Sequence, residues 1–592
     1  MQAVSDAEKL AFRTSPIKRK FKLFIDWIAK GDTAGVVTAS EWDATYFGKD
    51  NVNNAENNAP CQPFIFSDSM TFNDNARFIS NKFENGVMLA NRSDANGDFS
   101  SAEVISIIYT DVQTVTHLTI TASTYNYLVD FDFYYRDATN TSWVLIDNYV
   151  GVAIPDTVYD FGADTNIKGW KIEVTKISAA DMMVNIIEVQ AGYRDDITDD
   201  IVSMRIEKKF EDTNSGSLSI GNITANRLDI TLNNTHQRYN PKNTASDVYA
   251  YLKSNRALIP YIGIDMGGSI TYFAQGIFYM RNLVPKPDMT VDIFALDRMW
   301  FLNDEDFNTS TLYEAYTIKE LVEEMLAVFG MTASEYSVDT TTGDIPYAWF
   351  EPRRYAENLK RLALAEGGLA NFNELGVLDF KARAWQDTLI RASYDDDNIL
   401  LDSAESPLKA ENMKNSISIK VNPLVLQAEE QVYSLSQTIS IPASSSISIV
   451  CYFSKIPCKA VADAALTAGA DITITSETKY AYATFITLTN AGGVAEDVTA
   501  LTIAAQPLIS TGTNIVKSED AALIAKYGKS EYKINSEFIQ DISYAQTLAD
   551  DLKTDNKDPE AEIDFSSLCL PYLQLGDLIA IKHTKLNIGG AL

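Results

Sequence analysis

Histidine, cysteine, positive charge and long apolar runs are what this sequence has least of. The three histidines, His117, His236 and His583, stand far apart in 592 residues, which disfavours a zinc site or a histidine-based triad. Cys61, Cys451, Cys458 and Cys569 form no Cys-x-x-Cys pair and have no histidine neighbour, a usage that fits synthesis in a reducing cytoplasm. The spacing of Cys451 and Cys458 leaves a disulfide between them open. Lysine and arginine total 49 against 80 acidic residues, a formal charge of -31, so a phosphate grip on nucleic acid is not expected. No apolar run reaches the roughly eighteen residues of a membrane span, and "MQAVSDAEKLAFRTSPIKRKFKLFIDW" has no apolar signal-peptide core. A soluble protein is expected.

What is present is folded β structure. Hydrophobic residues make up 46% and aromatics 11%, well above a disordered composition, and the length demands several cores. Residues 1–16 place Val4, Ala7, Leu10, Ala11 and Phe12 at helical spacing, then "KFKLFIDW" alternates as a strand, and Asn-rich 49–60 reads as a linker. From 61 to 193, "AEVISIIYT", "THLTITAS", "LVDFDFYYRD", "SWVLIDNYV", "GWKIEVTKI" and "NIIEVQAGY" come at the spacing of a β-sandwich. Strands continue over 194–310. Residues 311–400 are mixed: Thr317 and Glu320 form a capping box before the apolar face Ile318, Leu321, Val322, Met325, Leu326 and Phe329, which Gly330 ends. A second helix stops at Gly367-Gly368, and Gly376 turns the chain into a strand. Residues 401–440 and 513–592 read as two parts of one barrel, with a Ser/Thr/Ala-rich small sandwich inserted over 441–512. In the last part, Ala545, Leu548, Ala549 and Leu552 line one helix face.

Few residues suggest chemistry. Asp94, Asn96 and Asp98 alternate as calcium ligands do, yet Phe99 stands where an EF-hand loop needs glycine, and an Asn-Gly turn accounts for the same residues. Asp395, Asp396 and Asp397 are adjacent, which suits a solvated hairpin better than a facing acid pair. No Gly-x-Ser-x-Gly and no phosphate loop is found. No catalytic residue, cofactor or metal site is assigned, and no enzymatic activity is expected.

The stretch "RLDITLNNTHQRYNPKNTASDVYAYLKSNRALIPYIGI" resembles the hub proteins at the tail tip, or baseplate, of long-tailed bacteriophages. The matching residues are Leu232, Asn233, Tyr239, Pro241, Tyr251, Leu252, Lys253, Asn255 and Arg256. "YTIKELVEEMLAVFGM", "AENLKRLALAEGGLANFNELGVLDF", "EDAALIAKYGKSEYKINSEFIQDISYAQTLADDL" and "LPYLQLGDLIAI" follow in the family's order, with Asp520, Tyr527, Gly528, Pro571, Leu575, Gly576 and Asp577 at its characteristic points. The 61–193 sandwich resembles the discoidin or galactose-binding-like jelly roll, a domain many hub relatives lack.

The fold class expected is therefore mainly β with α+β modules: hub β-barrels, an inserted jelly-roll sandwich and a second small sandwich. The resemblance implies a homotrimeric ring in the virion that closes the tail tube. Its partners would be the distal tail protein, tail-tube subunits and the tape measure protein, with DNA passing but not bound specifically. Two barrels per chain would suit a three-fold ring on a six-fold tube. The corner at 233–256 would be structural, redirecting the chain between barrel strands. The alternative is a carbohydrate-binding adhesin acting through 61–193 on a host surface glycan, for which Trp143, Tyr149 and Trp170 are the stacking candidates. The chain stops at "HTKLNIGGAL" in what reads as an unfinished barrel, with no wall-degrading domain following.

Overall fold

The structure is a computed structural model that describes residues 19–27, 35–39 and, short stretches apart, 87–591. The N-terminal helix, the 49–60 linker and Cys61 lie outside the described residues. Antiparallel strands dominate, and a few helices gather in one unit, so the mainly β reading holds.

An eight-stranded sheet forms the first unit. Its order is Ile201–Glu207, Arg227–Asn233, Thr290–Leu296, Phe278–Pro285, Ala257–Asp265, Arg19–Asp26 and Arg194–Asp196, with Ile270–Ala274 beside Ala257–Asp265. The alternation read in "KFKLFIDW" puts Leu23, Ile25 and Trp27 into its core, where they meet Leu228, Ile230, Leu232, Phe278 and Ile293. Arg19–Asp26 pairs with Arg194–Asp196 so that Asp26 faces Arg194, and the guanidinium holds the carboxylate at 2.8 and 3.0 Å. The chain thus leaves the sheet and re-enters it at neighbouring points. Everything between is an insertion with its ends clamped together.

That insertion is a seven-stranded sandwich. Two long strands, Asp98–Ala122 and Asp156–Ile177, run through both of its halves. Val104–Ile108 pairs with 169–173 and, on the other edge, Ile105–Tyr109 pairs with Gly35–Ala39, a strand that precedes the expected start at residue 61. Beyond register shifts between Ile108 and Gln113 and between Val115 and His117, His117–Thr121 pairs with 156–160 and 188–192 instead. "AEVISIIYT" and "THLTITAS", read as two strands, are therefore one strand that bends between sheets at bulges. Phe131, Phe133, Trp170, Ile172 and Val174 fill the space between.

The middle unit has one core. The capping box is present, with the Thr317 amide donating to Glu320 at 2.8 Å and the Glu320 amide to the Thr317 hydroxyl at 3.2 Å. The expected apolar stripe of Ile318–Val328 is buried, as is that of Ile542–Asn556. Tyr355–Glu366 ends at Gly367 with φ +68°. The same core takes in Ser416–Val421, Asn514–Glu519 and Glu531–Asn535, a three-stranded sheet on which Ile542–Asn556 packs. Here the structure departs from the second barrel expected over 401–440 and 513–592. A helix covers the apolar face of these strands, so no closure is needed to bury it. Ala392–Tyr394, Ile579–His583 and Ile588–Ala591 form a separate three-stranded sheet whose core shares Ile264 and Phe273 with the first unit.

The small sandwich is also wider than 441–512, because Leu424–Leu426 and Glu430–Ser434 belong to it. Both pair with Glu496–Ser510, a 15-residue strand that also pairs with Ile439–Ile441, Cys458–Lys459 and Ala465–Ala468. Ser445–Tyr452, Ala483–Asn490 and Ile472–Lys479 make the facing sheet. Cys451 and Cys458 are both free and buried, which closes the disulfide option.

A buried carboxyl joins the first unit to the middle one. Asp297 accepts from the amides of Asn226 (2.9 Å) and Met299 (3.1 Å), and Asn226 donates to the Phe372 carbonyl. Burial pushes the Asp297 carboxyl up to about 7 against those donors. A carboxyl raised above its unfolded value stabilises the fold fully below pH 3.8 and loses that contribution as pH rises through about 7. Thermal melts should therefore show the junction weakening from pH 5 to pH 8, by up to ~3 kcal/mol. Asp297→Asn should flatten that slope.

Candidate functional site

The corner between Arg227–Asn233 and Ala257–Asp265 is built inward. Tyr239 is 1% exposed, stacks on Trp27 at 6.3 Å and donates its hydroxyl to Asp200. Its amide donates to the Asn234 side chain at 3.0 Å. Trp27 Nε1 donates to Asp195 at 3.0 Å, and Arg238 pairs with the same carboxylate at 2.7 Å. Ser246 closes the loop onto the Arg238 carbonyl at 2.6 Å. Arg256 is also 1% exposed, its Nε donating to the Tyr251 carbonyl at 2.9 Å. Asn255 takes φ +65° and sends its amide to the Met280 carbonyl, while Arg281 reaches its side chain. Leu232 is buried, Tyr251 and Leu252 are half-buried, and Asn233 at its strand end, Pro241 in a turn and Lys253 are exposed.

Sequence reasoning singled out Tyr239 and Arg256 but missed their partners. Asp195 and Asp200 lie in "RDDITDD", a polar stretch with no pattern that points to a core. Trp27 directly follows the Arg19–Asp26 strand, and alternation places it in a core without saying against which ring.

The other characteristic points perform local structural chemistry. Asp520 caps Ala521–Tyr527 by accepting from the Leu523 amide. Gly528 ends that helix at φ +82° and its carbonyl accepts from Asn415. The Pro571 carbonyl accepts from Gln275 at 2.9 Å, fastening the 570s to the first unit. Gly576 turns at φ +88°, and Asp577 accepts from the Gln574 amide in the same turn.

In the inserted sandwich the three aromatic candidates separate. Trp170 is fully buried core. Tyr149 stacks on Phe131 at 4.7 Å. Trp143 instead joins an outward face with Tyr134 and two cations. Lys171 lies 3.9 Å from the Tyr134 ring centre and 5.7 Å from that of Trp143, and Arg136 lies 5.0 Å from Trp143. Glu173 pairs with Lys171 and accepts, with Asp132, from the Tyr134 hydroxyl. Burial, with Glu173 and Asp132 alongside, pushes Tyr134 up to about 12. Alternation along "DFDFYYRD" and "GWKIEV" held the signal for Tyr134, Lys171 and Glu173.

The calcium candidates are spent on a turn. Asp94 accepts from the Asn96 and Asp98 amides at 2.8 and 3.0 Å, which holds its carboxyl below the usual range, and Asp98 pairs with Lys176 at 3.0 Å. Gly97 sits at φ +84°, where a Cβ would fall 2.2 Å from the Ile177 carbonyl oxygen. Asp395 accepts from the Asp397 amide in its own turn, while Asp396 reaches across to the Thr584 amide at 3.0 Å and to its hydroxyl. The expected solvated hairpin is thus fastened to the next strand's turn. Among the described residues no group of three His, Cys, Asp or Glu side chains converges as a metal site, and no helix is long and apolar enough to cross a membrane.

No protein-family model and no curated protein matches the chain. Among solved structures, it is similar to the 43 kDa tail protein of prophage MuSo2 from Shewanella oneidensis, at 12% identity and TM-score 0.33, over 63% of this chain and 85% of that one. It is similar also to the tail protein from Neisseria meningitidis MC58, at 8% identity and TM-score 0.34, over 62% and 81%. A third similarity, at 13% identity and TM-score 0.19, covers 27% of this chain and 95% of chitosan-binding module 2 from a Paenibacillus sp. IK-5 chitosanase/glucanase, solved with chitotriose.

Proposed function

We propose that this chain is a structural hub at the distal end of a bacteriophage tail, without a catalytic step of its own. Three copies would form a ring in the virion that closes the tail tube and joins it to host-recognition parts. The ring would contact the distal tail protein, tube subunits and tape measure protein, and would let DNA leave.

The corner carries this reading. Residues quoted for the family resemblance, Leu232, Tyr239 and Arg256, converge on the buried lock of the eight-stranded sheet, and the remaining points fall on caps and turns. That is how residues of a scaffold behave, rather than those of a reaction centre. Ile201–Glu207 supports assembly, because Arg227–Asn233 flanks one side and no strand of the described residues flanks the other. Its Val202 is 59% exposed, an edge a neighbour in a ring would cover. A charge of -31 suits a passage that DNA traverses without sticking.

Light scattering of the purified protein, alone and with tail-tube subunits, should give three copies of the 65.6 kDa chain. A strict monomer that ignores tube subunits would overturn the hub. Replacing residues 28–193 with a short Gly-Ser loop should leave the ring intact, since Asp26 and Arg194 already face each other. Loss of the ring on excision would make the sandwich part of the collar. The second reading, glycan attachment through that sandwich, is favoured by the outward Trp143 and Tyr134 rings, although cations already lie over both. Trp143→Ala should abolish retention on host polysaccharide if this face binds it.

A further inference from the structure

The three-stranded sheet of the small sandwich presents an outward face with no charged side chain, on a chain whose net charge is -31. Its middle is a ladder of hydroxyls. Ser446 lies opposite Thr489 with their oxygens 2.7 Å apart, Ser448 opposite Thr487 at 3.2 Å, and Thr475 contacts Thr489 at 3.0 Å. The charged residues of Ile472–Lys479 turn the other way: Glu477 accepts from the Ala464 amide and Lys479 pairs with Asp463. At one end of the ladder stands Tyr452, 66% exposed. Behind it Tyr482 lies 6.3 Å away, stacked in turn with Tyr480 at 6.2 Å, and the Tyr482 hydroxyl is anchored to the Asn308 carbonyl at 2.7 Å.

We propose that this face binds a neutral polysaccharide, with a sugar ring on Tyr452 and the adjoining sugars on the hydroxyl ladder. Each hydroxyl offers one donor and two acceptors. Ser446, Thr489 and Thr475 are linked by two mutual bonds, and Thr475 donates to the Thr487 carbonyl at 3.2 Å. Their three donors are therefore used and they offer a ligand acceptors, while Ser448 and Thr487 share one bond and keep one donor. Sugars match that chemistry, since their hydroxyls donate and accept and their C–H faces stack on an aromatic ring. The ring is backed by Tyr482 and Tyr480, so it is held in place before a ligand arrives, which lowers the ordering cost of binding. Charge selects among polymers. An acidic polysaccharide or a nucleic acid meets no cation on this face and is repelled by the rest of the chain. The proposal is independent of the hub reading and of the first sandwich, whose outward rings lie under Lys171 and Arg136.

The test uses the full chain in depletion assays on chitin and on cellulose, with alginate beads as the acidic comparison. Retention is expected on at least one neutral polymer and not on alginate. Tyr452→Ala should weaken it about tenfold, the loss of one stacked ring. Tyr452→Phe should keep it, and Thr487→Lys, which puts a charge into the ladder, should abolish it. Both positions face outward, so melting temperature and oligomer size should not change in any of the three variants, and Trp143→Ala should have no effect. No retention on either neutral polymer, equal retention by Tyr452→Ala and Thr487→Lys, or preference for alginate would overturn the proposal. So would a change of oligomer size in Thr487→Lys, because the face would then belong to a protein neighbour. The ring itself should persist in every variant, which separates failure here from failure of the hub.

Discussion

Tyr239→Ala is expected to destabilise the first unit by about 3–5 kcal/mol, the range for removing a buried aromatic. The ring is 1% exposed and stacked on Trp27, and its hydroxyl satisfies Asp200. Truncation leaves a cavity against the indole and a carboxylate without its donor. Tyr239→Phe separates these effects: it keeps the stack and loses only the hydrogen bond, a cost of about 1.5–3 kcal/mol for a bond to a charged partner. Calorimetry should show the first unit melting earlier in both, with the alanine variant far lower. Because Trp27, Asp195 and Asp200 flank the two crossings into the inserted sandwich, ring formation should fail with Tyr239→Ala as the temperature is raised. Equal melting of Tyr239→Ala and wild type would show that the corner does not set the sheet's geometry.

Gly368→Ala should be almost as damaging to the middle unit. A Cβ there would sit 2.0 Å from the Lys381 carbonyl oxygen and 3.1 Å from its carbon, so backbone rather than a yielding side chain must move. The same glycine donates to the Ala363 carbonyl at 2.8 Å and accepts from the Gly221 amide at 2.7 Å. It therefore ties the end of Tyr355–Glu366 and the Leu369–Phe372 strand to the segment entering the first unit. Displacing Leu378–Lys381 disturbs Leu378 and Phe380, both fully buried. The expected loss is about 3 kcal/mol, at the upper end for overpacking. Gly330→Ala is the control. Gly330, unlike Gly368, has positive φ, at +90°, and nothing lies within 4 Å of an added Cβ, so only the backbone term applies. Its cost should be nearer 1 kcal/mol. If both variants melt alike, the close approach at Gly368 is not what holds the hairpin.

Much of the local structure was legible in the residues. Caps placed Ile318–Val328 and the end of Tyr355–Glu366, because Thr317, Gly330 and Gly367 act through bonds within a turn of themselves, and the apolar period alone placed Ile542–Asn556. Alternation placed the strands of both sandwiches, and it put Leu23, Ile25 and Trp27 indoors. Residue chemistry also marked Tyr239 and Arg256 as more than linker positions.

What the tertiary structure decided is which of these elements share a core. "AEVISIIYT" and "THLTITAS" merge because bulges let one extended chain bend between sheets, and the intervening residues carry no sign of that. The strands near 416 and 515 join the helical unit because Ile542–Asn556 covers their apolar face. An alternating strand looks the same whether a helix or another sheet lies over it. Asp195 and Asp200 became partners of Trp27 and Tyr239 only when the 194–196 strand paired with the strand before the insertion. The uncharged face beside Tyr452 likewise needed three strands, far apart in places along the chain, to be laid side by side. Local period and capping are short-range physics that each segment expresses alone, whereas burial, ion pairing and a binding face depend on neighbours that only the folded chain supplies.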